Sequence, residues 1–157
     1  MKTDVKKLLL CIAIPLLVGG IAGLLTSTGT QAFATMEKPP LTPPAVVFPI
    51  VWIILYTLMG ISSYLIWIKD DGSASASKAK SLYFYQLVVN FLWSFFFFNF
   101  QWYFFSFLWI LLLWFLVAGM IKSFAPISKV AAYINIPYLI WLTFAAYLNL
   151  GVWWLNR

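Results

Sequence analysis

Five stretches of this chain are long and apolar enough to cross a bilayer, and none of them contains a charged residue. They run over about residues 8–26, 44–68, 82–98, 102–121 and 130–154. A spanning helix needs about 20 mainly apolar residues. In lipid every backbone N–H and C=O must be paired within the protein, which only helices and closed barrels achieve. Five open strands would leave their edges unpaired, so the pattern predicts an all-α protein. The expected architecture is a five-transmembrane-helix bundle, one integral membrane domain over residues 1–157. Composition agrees, with only 9% charged residues against about 25% in soluble domains.

A net charge of +6 could suggest a nucleic-acid partner. The lysines, however, stand between the apolar segments, where they orient a membrane protein, so no nucleic acid is expected. Lys2, Lys6, Lys7, Lys69, Lys78, Lys80, Lys122 and Lys129 fall on one side of a five-span chain, and Lys38 and Arg157 on the other. This predicts a cytoplasmic N-terminus and an outer C-terminus. Lys2 to Lys7 followed by an apolar run could open a signal peptide. The run is too long and lacks a small-x-small cleavage site, so it reads as a retained first helix.

Several chemistries are ruled out by inventory. The chain has no histidine and one cysteine, Cys11, inside an apolar run. A His/Cys metal site, an intrachain disulfide and a His-activated nucleophile are therefore excluded. Asp4, Glu37, Asp70 and Asp71 all lie outside the apolar segments. The spans thus offer no buried carboxylate for a proton relay.

The connections differ in character. Residues 28–43 form a long, proline-rich loop, and residues 69–80, with the tract SASAS, read as a flexible linker. Residues 99–101 read as a tight hairpin. The first segment carries GGIAG, Gly19 to Gly23. Such a small-xxx-small pattern brings helices close, either within one chain or across a dimer seam.

The third segment is the most informative. Gln86, Asn90, Trp93 and Phe97 follow i, i+4, i+7, i+11 and share one stripe. An amide near mid-span cannot face lipid without leaving its hydrogen bonds unmet. It is either interhelical glue, worth on average about 0.6 kcal/mol, or one of the few polar groups of a largely apolar pocket. The other phenylalanines of this run read as packing and lipid contact.

Two more helices bear on that choice. Trp52, Tyr56 and Gly60 stand at i, i+4, i+8, and Trp141, Ala145, Leu148 and Asn149 share a face. Trp52, Trp93 and Trp141 lie well inside their segments, whereas Trp102, Trp109, Trp153 and Trp154 suit the interface or the lipid. Pro49 near the start of the second segment and Pro137 inside the fifth would remove backbone bonds, and Pro137 is expected to kink its helix. Indole and amide donors among flat apolar walls suit a planar, mostly apolar ligand with a few acceptors.

The motifs KPPLTPP (38–44), Trp52-x-x-x-Tyr56-x-x-Met59-Gly60, Gln86-Leu-x-x-Asn90-x-x-Trp93 and PYLIWLTFAAYLN (137–149) closely resemble the translocator protein family. It is also known as TspO/MBR, the tryptophan-rich sensory protein or the peripheral benzodiazepine receptor family. The match covers nearly the whole chain in order and spacing. The resemblance implies one pocket under a lid formed by loop 28–43, which takes protoporphyrin IX and benzodiazepine-site ligands. The implied ligand-binding residues are Trp52, Tyr56, Asn90, Trp93, Trp141, Ala145 and Leu148. It implies a homodimer in a bacterial cell membrane with lipid around it, and no obligatory cofactor, porphyrin being ligand or substrate.

Departures from the family pattern also bear on function. Leu41 and Val46 replace the tryptophans of the family's W-x-P-P-x-W lid motif. Trp109 stands about where an acidic residue is common, and no basic residue follows Tyr147 closely enough for a sterol motif. The activity implied is binding of a metal-free porphyrin, with light-dependent degradation in which Trp52 and Trp141 serve as photochemical electron donors. The alternatives are a transporter of tetrapyrroles or other hydrophobic small molecules, and a stress sensor acting through partners.

Overall fold

The computed structural model describes residues 4–157, and every regular element among them is helical. Helix α1 covers Val5–Leu25, α2 Ser27–Ala34, α3 Val47–Trp67 and α4 Ala74–Ser94. A π-helical turn, Phe95–Asn99, continues α4, and α5 (Tyr103–Phe124), α6 (Lys129–Tyr133) and α7 (Ile136–Leu155) follow. Five spans result: Val5–Leu25, Val47–Trp67, Ala74–Asn99, Tyr103–Phe124 and Lys129–Leu155. Their length and apolarity make this an integral membrane protein.

The order of packing follows from small residues and aromatic fillers. α1 lies against α3, and α5 lies between α4 and α7. At the crossing of α1 and α3 a Cβ on Gly60 would fall 2.4 Å from Ile12 Cα, so only glycine permits the approach. Ile110, Leu113, Val117 and Met120 on α5 are wholly buried and form the packed half of the core. α3 and α7 face each other mainly through side chains, as in the Trp52–Tyr138 edge contact at 6.2 Å. That separation leaves room inside the bundle.

Four expectations are corrected. Residues 74–80 are not a flexible linker but the first two turns of α4. Ser73 caps them, its side chain accepting from Ala76 N at 3.1 Å, and Ala76 and Ala79 are buried. Alanine is the best helix former, and a serine N-cap satisfies an end donor. The lid segment 28–43 is not all loop, because α2 occupies its first half. Pro137 does not kink a continuous helix. The fifth span breaks at Ile134 and Asn135, and Pro137 sits in the first turn of α7, where its missing N–H has no partner to lose. Trp109 is not solely an outward-facing ring: it is half-buried, and its Nε1 donates to Val89 O at 2.8 Å, joining α5 to α4.

The GGIAG motif divides its labour. A Cβ on Gly19 would meet the Tyr56 ring of the same chain at 2.2 Å, whereas one on Gly20 or Gly23 would meet nothing within 4 Å. The motif therefore packs within the monomer through Gly19, and Gly20 and Gly23 border open space.

Candidate ligand cavity

A cavity of about 700 Å³ lies between α1, α3, α4 and α7 under α2 and the proline-rich segment. Trp52, Tyr56, Asn90, Trp93, Trp141, Ala145 and Leu148 all line it. Three separate helical stripes therefore converge on one space. The volume falls within the roughly 300–1,000 Å³ of ordinary small-molecule pockets.

The walls are aromatic. Trp52 stacks on Tyr56 with centroids 5.4 Å apart, and Trp93 lies 6.4 Å from Trp52 at a shallow tilt. Trp93 also stacks on Phe97 at 5.4 Å. Phe48 meets the edge of Trp141 at 6.0 Å. Offset and edge-on pairs are the arrangements that ring quadrupoles favour.

Behind the walls runs a hydrogen-bonded chain. Asn90 Nδ2 donates to Tyr138 Oη at 2.8 Å, and the Tyr138 hydroxyl donates to Gln86 Oε1 at 2.9 Å. Gln86 Nε2 faces Met59 Sδ at 3.8 Å, and the Tyr56 hydroxyl approaches Asn90 Oδ1 at 3.5 Å. The two amides of the third segment therefore part company. Both are buried and both bond Tyr138 on α7, but Asn90 also lines the cavity, whereas Gln86 lies outside its lining. Trp93 Nε1 donates to Asn149 Oδ1 at 3.3 Å, and Asn149 Nδ2 donates to Ala145 O at 3.0 Å. Trp141 Nε1 is buried with no protein partner among the described residues.

The lid is fastened to the far end of α7. Glu37 N donates to Asn156 Oδ1 at 3.2 Å, and Asn156 Nδ2 donates back to Glu37 O at 2.8 Å. Tyr147 Oη donates to Pro40 O at 2.8 Å. Pro39 lies on Gly151, where a Cβ would come within 2.5 Å of its ring.

Several lining residues were not legible in the sequence. The sequence pattern assigns Phe98 to packing or lipid contact, yet both Phe97 and Phe98 line the cavity. Consecutive residues diverge by about 100° on a regular α-helix; the π-helical turn interrupts that regular spacing here. Phe33 on α2 contacts both rings, at 5.5 and 5.9 Å. It supplies the lid aromatic in a chain whose Leu41 and Val46 are exposed and line nothing of the cavity. Lys38 also reaches the cavity lining.

The fold and cavity define a class: an integral membrane bundle of five spans around an internal, aromatic-walled cavity closed by a lid. Within that class the chain belongs to the TspO/MBR family, whose pattern it matches over residues 11–155. It is 33% identical to the tryptophan-rich protein TspO of Chlorobaculum tepidum, over 99% of both chains. It is 35% identical to the protein of the same name from Archaeoglobus fulgidus, over 98% of this chain and 99% of that one. Similarity extends to the translocator protein of Ovis aries, at 35% identity over 88% of this chain and 84% of the relative.

Proposed function

We propose that this chain is a receptor that binds porphyrins such as protoporphyrin IX, and benzodiazepine-site ligands, within the bundle cavity. It works as a homodimer in a bacterial cell membrane, with its N-terminus cytoplasmic and its C-terminus outside. The observation that carries the reading is the convergence of Trp52, Trp93 and Trp141 with the Asn90–Tyr56 pair on one lidded space. Flat rings suit a macrocycle that stacks, and a neutral amide and hydroxyl suit its polar edges. The test is quenching of tryptophan fluorescence by protoporphyrin IX, with a benzodiazepine-site ligand as competitor. Saturable, competed quenching is expected; quenching that no competitor relieves would sink the shared site.

Light-dependent degradation of the bound porphyrin is the second element of this reading. Light and dioxygen supply the chemistry, and the protein supplies orientation and the oxidisable indoles of Trp52 and Trp141. Illumination in air should degrade the porphyrin more slowly with Trp52→Phe and Trp141→Phe. Wild-type rates in both would dismiss the role. Transport is the alternative suggested by the name of the sheep relative. Dark flux of porphyrin into proteoliposomes would establish it.

A further inference from the structure

We propose that Lys38 is an anion anchor at the lid end of the cavity, and that the cavity therefore selects planar apolar ligands bearing a carboxylate over neutral ones. The proposal rests on the cavity being the ligand site and adds the chemistry that sorts its ligands.

Among the described residues that line the cavity, Lys38 alone carries a charge. Its Nζ folds back onto the end of α2, donating to Ala34 O at 3.0 Å and to Met36 O at 3.2 Å. It also lies 5.1 Å from the centroid of the Phe33 ring, itself part of the lining. An ammonium has three donors. Two are used on carbonyls, which hold the group in place, and one remains.

No carboxylate among the described residues forms a salt bridge with it, although Glu37 is the next residue along the chain. The charge is thus positioned by neutral acceptors and a ring face and left without a counter-anion. Deeper in the cavity the polar groups beside Asn90 are neutral. A ligand with a flat apolar body and an anionic end would place the body among the indoles and the anion at Lys38. A charge-assisted hydrogen bond there is about twice as strong as a neutral one. Replacing the carboxylate by an ester forfeits it and leaves the stacking unchanged.

The experiment compares protoporphyrin IX, which has two carboxylates, with its dimethyl ester, by fluorescence quenching of the protein in nanodiscs. Wild type should bind the diacid about tenfold more tightly than the diester, a gap that narrows with added salt. Lys38→Met should abolish that preference by weakening the diacid alone. Lys38→Arg should retain it, which separates charge from any loosening of α2. Equal binding of diacid and diester by wild type overturns the anchor while leaving the cavity reading intact. A Lys38→Met variant that weakens both ligands by the same factor also overturns it, since that marks a lid defect. If neither porphyrin binds wild type, the cavity reading fails and the anchor with it.

Discussion

The Trp93 indole donates to Asn149 Oδ1 across the α4–α7 interface at 3.3 Å. The one polar edge of the ring is thereby engaged, and the ring lines the cavity as a flat apolar wall. Replacing Asn149 with leucine would leave a buried N–H unmet. The expected loss is about 1–2 kcal/mol of stability, with weaker porphyrin binding because the wall can then rotate. Thermal unfolding in detergent alongside quenching measures both. An Asn149→Leu protein with unchanged melting and affinity would show that the bond does not set the wall.

Tyr138 and Tyr56 both address Asn90, but unequally. Tyr138 both accepts and donates at under 3 Å, whereas the Tyr56 contact is 3.5 Å long. Tyr138→Phe strands Gln86 and Asn90 together and should destabilise by about 1–3 kcal/mol. Tyr56→Phe should stay near the roughly 0.6 kcal/mol average of membrane hydrogen bonds. The reverse order in chemical unfolding would contradict this account of the chain.

The lid is held by reciprocal bonds between Glu37 and Asn156 and by the seat of Pro39 on Gly151. Asn156→Ala and Gly151→Val should each speed amide exchange in residues 36–42 by about fivefold or more, the equivalent of roughly 1 kcal/mol. Exchange within α5 should not change. Faster exchange throughout the bundle would mean that the clasp is not local.

The turn that opens α4 depends on two carboxylates, the half-buried Asp70 and the exposed Asp71. The Lys80 ammonium, then the Gly72 amide, hold the Asp70 carboxyl below its ordinary value, and the hydroxyl and amide of Ser73 do the same for Asp71. A pKa depressed in the folded state stabilises fully above the unfolded value and is lost as pH falls through the folded one. The protection of amides 69–74, meaning exchange corrected for its intrinsic pH dependence, should therefore be flat from neutrality to about pH 4 and fall only below it. Asp70→Asn should weaken that acid response. Loosening that begins near neutral pH would contradict the assignment.

The spans were legible because the absence of charge over some twenty residues is a local property that lipid enforces. Their edges were less so. The α4 start is not marked by hydropathy, because hydrophobicity shows where a helix enters lipid and not where it begins. Ala74 to Lys80 is helical by propensity and by the Ser73 cap, which a hydropathy reading does not weigh. Helical spacing placed Asn90 with Trp93, Trp52 with Tyr56, and Trp141 with Ala145 and Leu148. That Phe98 joins them depends on a π-helical turn, for which no pattern in FFFFN offered a signal.

By itself the sequence determined the class, the number of spans and the residues that share a helix face, because these follow from transfer into lipid and from the 3.6-residue turn. Family membership was legible too, in motifs spread along nearly the whole chain. The tertiary structure alone decided that three faces meet around one cavity, that Gln86 and Asn90 both bond Tyr138 while Asn90 also lines the cavity, and that Lys38 returns to the lid end. Those outcomes rest on close approaches such as Gly60 on Ile12 and Gly151 on Pro39. Such contacts join residues far apart in the chain, and no local periodicity encodes which helix a given face will meet.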